Sequence, residues 1–154
     1  MPPFGNFTTK AKEAIRKAHE LAIERGQNHV NPLHMLAALI LQEESMVLSI
    51  LERLEIDTIL LTDSLLDAIE GPETAQVLSP SYQIYLTPEL AQTIEASGKI
   101  AAGLKDEFIS TEHLFIASCD VQSSARELLN RFKITKDSVL RIVQELKTGN
   151  ITDT

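Results

Sequence analysis

The 154-residue sequence contains no tryptophan, a single cysteine and only 5% aromatic residues. A hydrophobic core must therefore be built mainly from Leu, Ile, Val and Ala, which suits helices packed on helices. Because Cys119 has no partner for an internal disulfide, the sequence fits a reducing compartment, and we expect a cytoplasmic protein. The length suffices for one ordinary domain, or for two very small units that share a core.

Positive charge is also scarce, since 22 acidic residues against 14 Lys and Arg give a net charge of −8. Phosphate groups are bound by cationic faces, so this balance argues against nucleic acid and against an anionic membrane surface as partners. The longest apolar run, residues 35–41, is far shorter than the roughly 20 residues of a membrane-spanning helix. No basic segment followed by an apolar one occurs near residue 1, so no signal peptide is expected.

Motifs of nucleotide and metal chemistry are missing as well. The sequence contains no GxxxxGK followed by Ser or Thr, no GxGxxG, no HExxH and no CxxC. His29 and His34 lie on either side of a predicted helix start, which is poor spacing for a pair of metal ligands. Cys119 and His113 would project from different faces of one predicted helix, so a structural cysteine is favoured over a nucleophile. We therefore expect a non-catalytic chain that holds no metal and no other cofactor.

Apolar residues recur at three- and four-residue intervals nearly throughout, which predicts an all-α fold of eight helices. Most predicted starts are marked by residues that cap first-turn amides, or by a cap followed by proline. The predicted starts are Thr8 or Thr9, Asn31, Ser45, Asp57, Thr87, Ser110 and Thr135, and the seventh helix is marked by apolar residues from Ala125 to Phe132. Gly26, Gly71-Pro72 and Gly149 are predicted to end helices.

The two sets of four helices resemble copies of one another. Shifting residues 7–39 by 79 positions places Thr8 on Thr87 and His34 on His113, and shifting residues 50–57 by 78 aligns them with 128–135. We interpret this as a tandem duplication, with a seam between the copies where a ligand could bind. The predicted divisions are a flexible N-terminus (1–6), a first repeat (7–70), a connector (71–86) with an extended piece near 82–85, a second repeat (87–148) and the start of a linker (149–154).

Two histidines occupy equivalent positions in the copies. His34 and His113 each follow a predicted cap, Asn31 or Ser110, by three residues. A polar side chain at that position can return to the backbone N–H of the cap, as Glu or Gln does in a capping box. A structural role at the helix start is the favoured interpretation, and a polar rim on the seam is the alternative.

Three segments carry a family resemblance: residues 7–11 (FTTKA), 28–39 (NHVNPLHMLAAL) and 106–114 (DEFISTEHL). Together they resemble the N-terminal domain of Clp ATPases, a double four-helix repeat that precedes the AAA+ rings. The likeness covers about residues 5–148. The Pro-Leu-His of the first copy is more similar to the ClpB branch than to the ClpC branch, which tends to have Thr-Glu-His in both copies. Residues 149–153 resemble the linker to the first ATPase ring, so an excised domain and a short stand-alone homologue both remain open.

The resemblance implies a mobile domain that captures unfolded or aggregated polypeptide, or an adaptor protein, and passes it to the ATPase pore. It implies that Thr8, Asp106 and Glu112 handle substrate. It also implies an apolar groove that runs past Ile94 and Ala96 to His113. His113 departs from the leucine expected there in ClpB. In ClpC-like domains paired Glu residues read phosphoarginine, but here only the second copy has one, because Leu33 replaces the first.

Each of these positions also has a structural interpretation: an N-cap for Thr8, a complement to the helix dipole for Glu112, a solvated loop residue for Asp106 and a core residue for Ile94. The expected function is a non-enzymatic module that binds extended peptides carrying Lys or Arg with weak affinity. One alternative is an adaptor-docking or phosphoarginine-reading regulatory domain. Another is a small enzyme or ligand-binding protein, which would need converging polar groups that the sequence does not show.

The resemblance also sets expectations for assembly and cofactors. The isolated domain is expected to be monomeric, whereas family members with ATPase rings form hexamers. ATP would bind only in those rings, which this sequence lacks.

Overall fold

The computed structural model describes residues 6–70 and 85–153, with side chains as far as residue 148. These residues form eight α-helices and two short strands, which confirms the predicted all-α class. The elements are α1 (Thr9–Glu24), β1 (His29–Val30), α2 (Pro32–Leu41), α3 (Met46–Arg53), α4 (Thr58–Ile69), β2 (Tyr85–Leu86), α5 (Pro88–Gly103), α6 (Thr111–Asp120), α7 (Ser124–Arg131) and α8 (Lys136–Asp153).

The predicted caps begin the helices. The hydroxyl of Thr8 accepts a hydrogen bond from Ala11 N at 3.1 Å, and that of Thr87 accepts one from Leu90 N at 3.2 Å. The Asp57 carboxylate does the same for the first turn of α4. Each bond satisfies an amide that has no partner within its own helix, so the chain starts a helix at these residues.

The prediction that Gly149 ends the last helix is wrong, because α8 continues through it to Asp153. Glycine inside a helix costs about 1 kcal/mol relative to alanine, which weakens the helix without ending it. Gly26 differs: its backbone is left-handed, with φ of 69°, and α1 ends just before it. The linker predicted to start at residue 149 is therefore helical as far as residue 153.

The duplication extends to details of the backbone. α1 and α5 have 16 residues each, α2 and α6 have 10, and α3 and α7 have 8. Left-handed residues recur at the same offsets, with Gly26 (φ 69°) matching Lys105 (φ 63°), and Glu55 (φ 59°) matching Lys133 (φ 62°). The predicted tandem repeat of two four-helix units is confirmed.

The repeats exchange short strand pairings across the seam. β1 pairs in parallel with β2, and Phe7 forms an equivalent parallel bridge with Ile109. Thr8 N donates to the carbonyl of Ile109 at 2.9 Å, and Thr87 N donates to that of Val30 at 3.0 Å. The start of each repeat is thus held by the loop between the first two helices of the other. Of the extended piece predicted near 82–85, Tyr85 lies in β2, and residues 82–84 lie outside the described residues.

α2 and α6 form the centre of the molecule. Both are buried along nearly their whole length, and α2 packs against α1, α4, α5, α6 and α7. Each large apolar side chain removed from water contributes roughly 1.5–3 kcal/mol before entropy is counted. The most deeply buried include Met35, Leu36, Leu39, Leu114, Phe115 and Ile116. This shared core fixes the first turn of α6, where two of the predicted site residues, Glu112 and His113, are adjacent in sequence.

Among the described residues, no single helix is long and apolar enough to cross a membrane. Only α2 and α3 taken together reach that length and composition, and they are bent by 88°.

Candidate substrate-binding seam

His113 is the centre of a polar network at the start of α6. Ser110 N donates to His113 Nδ1 at 2.9 Å, which confirms the predicted capping role. Because a backbone N–H can only donate, Nδ1 must be the acceptor, and the ring proton sits on Nε2. Nε2 lies 2.7 Å from Asp106 Oδ2 and donates to it. His113 is 1% exposed, so it holds Asp106 in place from the protein interior and is not part of an exposed polar rim.

Asp106 is tied to a third element as well. Lys147 Nζ on α8 donates to the same carboxylate oxygen, so one carboxylate joins the α5–α6 loop, the start of α6 and the end of α8. Burial acts to raise the pKa of Asp106, but hydrogen bonds from Lys147 and His113 outweigh it, and the net effect lowers that pKa. Asp106 is therefore ionised at neutral pH, and its charge is already partly balanced within the domain.

His34 repeats the capping half of this arrangement in the first repeat. Asn31 N donates to His34 Nδ1 at 3.0 Å. Its Nε2 is buried and has no hydrogen-bond partner among the residues that the structure describes. Burial, and secondarily the positive charge of Arg25, lower the pKa of His34 to about 4. Both predicted capping histidines are thus confirmed, with different surroundings beyond the cap.

Glu112 lies in the first turn of α6, where the helix dipole favours negative charge. The residue is only 9% exposed. Within the described part of the chain, its carboxylate forms no hydrogen bond and no ion pair. Of the two carboxylates predicted to handle substrate, Glu112 is therefore the one without a partner.

Thr8, Ile94 and Ala96 lie on two other elements, Thr8 at the start of α1 and the other two on α5. Thr8 is half-buried as the N-cap of α1, and its backbone bond to Ile109 ties it to the α5–α6 loop. Ile94 is partly buried and packs against the core from α5, and Ala96 is half-buried on the same helix. The structure thus joins Asp106 directly to His113 and connects Thr8 to their loop. Glu112 makes no polar contact with the other five predicted site residues.

Phe108 is a surface residue that the prediction missed. It is 50% exposed in the α5–α6 loop, two residues after Asp106. Its equivalent in the first repeat is His29, whose ring lies 5.8 Å from the ring of Tyr85. The residue equivalent to Tyr85 is Asn6, which has no ring to cover Phe108. A phenylalanine in a predicted loop, flanked by Glu107, was the only signal in the sequence.

Other candidate chemistry is limited in the described part of the chain. No group of three or more His, Cys, Asp or Glu residues there is placed to hold a metal ion. Cys119 is buried, and burial, with a smaller effect of Asp120, raises the pKa of its thiol to about 12. The thiol therefore stays protonated at neutral pH, in keeping with a structural cysteine.

Comparison with known proteins identifies the family of this chain. The family model described as the Clp repeat (R) N-terminal domain matches residues 6–146. The chain belongs to this family. The chaperone protein ClpB of Bacillus cereus (strain ATCC 10987) is 29% identical over 149 residues, which cover 94% of this chain and 17% of the relative. The chain therefore spans about a sixth of that protein, in whose family the Clp N-terminal domain is a non-catalytic N-terminal part.

Solved structures of Clp N-terminal domains share the architecture. The Hsp104 N-terminal domain from Candida albicans has a TM-score of 0.76 at 21% identity, over 92% of this chain and 91% of that one. A ClpV N-domain in complex with a VipB peptide has a TM-score of 0.69 at 17% identity, over 89% and 84%. At these identities the likeness establishes the fold alone.

Proposed function

We propose that this Clp N-terminal domain recognises polypeptide segments for a Clp-type ATP-dependent unfoldase or disaggregase, and that it binds them at the seam between its repeats. Family membership and the ClpB relatives support the assignment to this class of ATPase. The domain itself supplies binding and no catalysis. Unfolding would be driven by AAA+ rings located outside this chain.

The observation that carries the proposal is the state of Glu112. Most of Glu112 is buried, but its carboxylate oxygens reach solvent and have no partner among the described residues, so a cation can bind them directly. A Lys or Arg side chain of an extended substrate would supply that cation. Asp106 is less available, because His113 and Lys147 already hold it. Exposed Phe108 offers an apolar contact on the same loop.

Such binding should be weak and reversible. Ordering a flexible peptide costs several kcal/mol, so we expect dissociation constants in the micromolar range or above. Weak affinity suits a domain that has to release its substrate to a pore.

An NMR titration of the domain with a chemically unfolded, alkylated model protein tests this function. We expect backbone amide shifts around Thr8, Phe108 and Glu112. Glu112→Gln, which keeps the size and removes the charge, should weaken binding several-fold, as loss of a charged hydrogen bond implies. Glu107→Gln is the matched control, because it removes an exposed carboxylate from the adjoining α5–α6 loop. A spectrum that does not change at high concentrations of unfolded protein would exclude this function.

A second function is favoured by the structural likeness to the ClpV N-domain, which was solved in complex with a VipB peptide. In that case the domain would dock one defined peptide or adaptor. A scrambled peptide of the same composition would then fail to compete, whereas unfolded-protein binding tolerates scrambling. Two-site reading of phosphoarginine is disfavoured, because Leu33 holds the position equivalent to Glu112 and is 2% exposed.

A further inference from the structure

A long stretch of the sequence carries no positive charge. No Lys or Arg occurs between Arg53 and Lys99, whereas acidic residues recur throughout that stretch. α4 lies within it and is joined to the rest of the domain mainly through α2. Its surface is therefore acidic, with no cation of its own.

The outer face of α4 also carries apolar residues. Ile59 is 75% exposed, the highest value among the exposed large apolar side chains of the described residues, and Leu60 is 54% exposed. Asp63 and Asp67 follow one and two helical turns after Ile59, and both are exposed. Together these four residues form what we call the α4 face. Neither aspartate forms an ion pair or hydrogen bond with any residue in the described ranges.

The second repeat provides an internal control for this face. At the offset of 78, Ile59 corresponds to Asp137 and Leu60 to Ser138 on α8. The same fold is thus built with polar residues at both positions. Packing within a repeat does not require the apolar pair, so a contact outside the domain is the better physical reason for it.

The charges on the α4 face indicate the kind of partner. Nearby cations are already engaged, since Arg25 pairs with Glu70 at 3.8 Å and Arg53 pairs with Glu145 at 3.9 Å. A second copy of this chain is a poor fit, because two acidic faces would repel each other. A cationic amphipathic helix satisfies both features, with apolar residues on one side and Lys or Arg along its edges.

We propose that the α4 face is a docking surface for a basic amphipathic helix of another protein. Apolar side chains of that helix cover Ile59 and Leu60, while its cations pair with Asp63 and Asp67. The surface goes beyond the proposed function, because it is built from α4, whereas the seam site is built from the N-cap of α1, from α5 and from α6.

The first test uses a designed probe on the 154-residue chain. The probe is an 18-residue peptide of Leu and Lys at helical spacing, and its control has the same composition in strict alternation, which forms no apolar helical face. We expect amide shifts from the helical peptide to concentrate on residues 58–67 and to weaken with added salt. Shifts confined to Phe108 and Glu112, or equal shifts from the alternating control, would overturn the proposal.

Variants separate this surface from the seam. Ile59→Asp combined with Leu60→Ser copies the second repeat and should weaken peptide binding about ten-fold or more, as loss of two apolar contacts implies. Leu41→Ser removes a comparably exposed apolar residue from α2 and should leave binding unchanged. Glu112→Gln should leave the shifts of residues 58–67 unchanged and weaken only those around Phe108, so the two surfaces are read out separately. Thermal melts should show every variant folded, since the altered α4 side chains are exposed.

A further outcome concerns self-association. If Ile59 and Leu60 instead bury themselves in a second copy, sedimentation should show dimers that the double variant abolishes. That result would replace the proposed partner with another copy of the chain.

Discussion

The two repeats have nearly the same backbone and differ beside the histidine that starts each central helix. In the second repeat, His113 Nε2 donates to Asp106, which Lys147 also holds. In the first repeat, the position of Asp106 is occupied by Gln27, and His34 Nε2 is buried with no partner among the described residues. One repeat therefore has an ionised carboxylate beside its histidine, where the other has the neutral amide of Gln27.

This difference distinguishes the residues that the fold requires in both repeats from the positions where the side chain can vary. Both repeats keep the cap, the left-handed residue after the first helix and the histidine that closes the capping box, because backbone amides must be satisfied in both. The charges differ: Glu112 corresponds to Leu33, and Asp106 corresponds to Gln27. Packing is thus shared between the repeats, and both carboxylates predicted to handle substrate lie in the second.

The prediction with the largest expected effect concerns the stability of the domain at low pH. Because the pKa of His34 in the folded domain is about 4, below its usual 6.5, protonation favours the unfolded chain. The stability that His34 contributes is complete above pH 6.5 and is lost as the pH falls towards 4. Between pH 7 and pH 4.5 we expect a loss of roughly 2–3 kcal/mol in the free energy of unfolding, measured by urea denaturation.

A variant identifies the group responsible for that loss. His34→Gln can still accept the bond from Asn31 N, as Gln does in a capping box, but it does not titrate. Its stability should fall much less between pH 7 and pH 4.5. Equal losses in the variant and the unaltered domain would show that His34 is not the titrating group.

The second test makes the second repeat resemble the first. Asp106→Ala leaves His113 Nε2 buried without an acceptor and frees Lys147, which should cost about 1–3 kcal/mol at pH 7. Asp106→Asn should cost less, because an amide oxygen can still accept from Nε2. If the two variants were equally and only slightly destabilised, the network would contribute little.

The acid side of the titration gives a second readout for Asp106. Its pKa is lowered in the folded state, so its contribution is present above the ordinary value of 3.8 and is lost as the pH falls through the folded value. In Asp106→Asn this acid-dependent loss should disappear. The measurement is the urea midpoint at pH 5 and at pH 3.

The features that the sequence predicted are local ones. Caps, stop residues and the capping histidines act over three or four positions, so Thr8, Asn31 and His113 could be placed without knowing the tertiary structure. The duplication was visible because these signals recur together. Asp106 and Glu112 came from the family resemblance, and their different electrostatic states could not be predicted.

Distant contacts account for what was missed. Lys147 is 41 residues from Asp106 in sequence, and no periodic pattern pairs them. The bridge between Phe7 and Ile109 joins the two repeats, so its effect on the exposure of Phe108 depends on tertiary packing. The helix end predicted at Gly149 was wrong because glycine ends a helix only where the backbone turns into the left-handed region. The backbone at Gly149 stays helical.

The prediction with the smallest expected effect compares two equivalent caps, Thr8 and Thr87. Their hydroxyls accept first-turn bonds of 3.1 Å and 3.2 Å, and both residues are half-buried. Thr8→Ala and Thr87→Ala should therefore cost similar free energies of unfolding, about 1 kcal/mol each, and serine should restore both.

Binding of the unfolded model protein should distinguish the two variants. If Thr8 contacts substrate, Thr8→Ala weakens binding of the unfolded model protein at a temperature where both variants are folded, while Thr87→Ala does not. Equal binding by the two variants would reduce Thr8 to a helix cap and leave Glu112 as the polar contact at the seam.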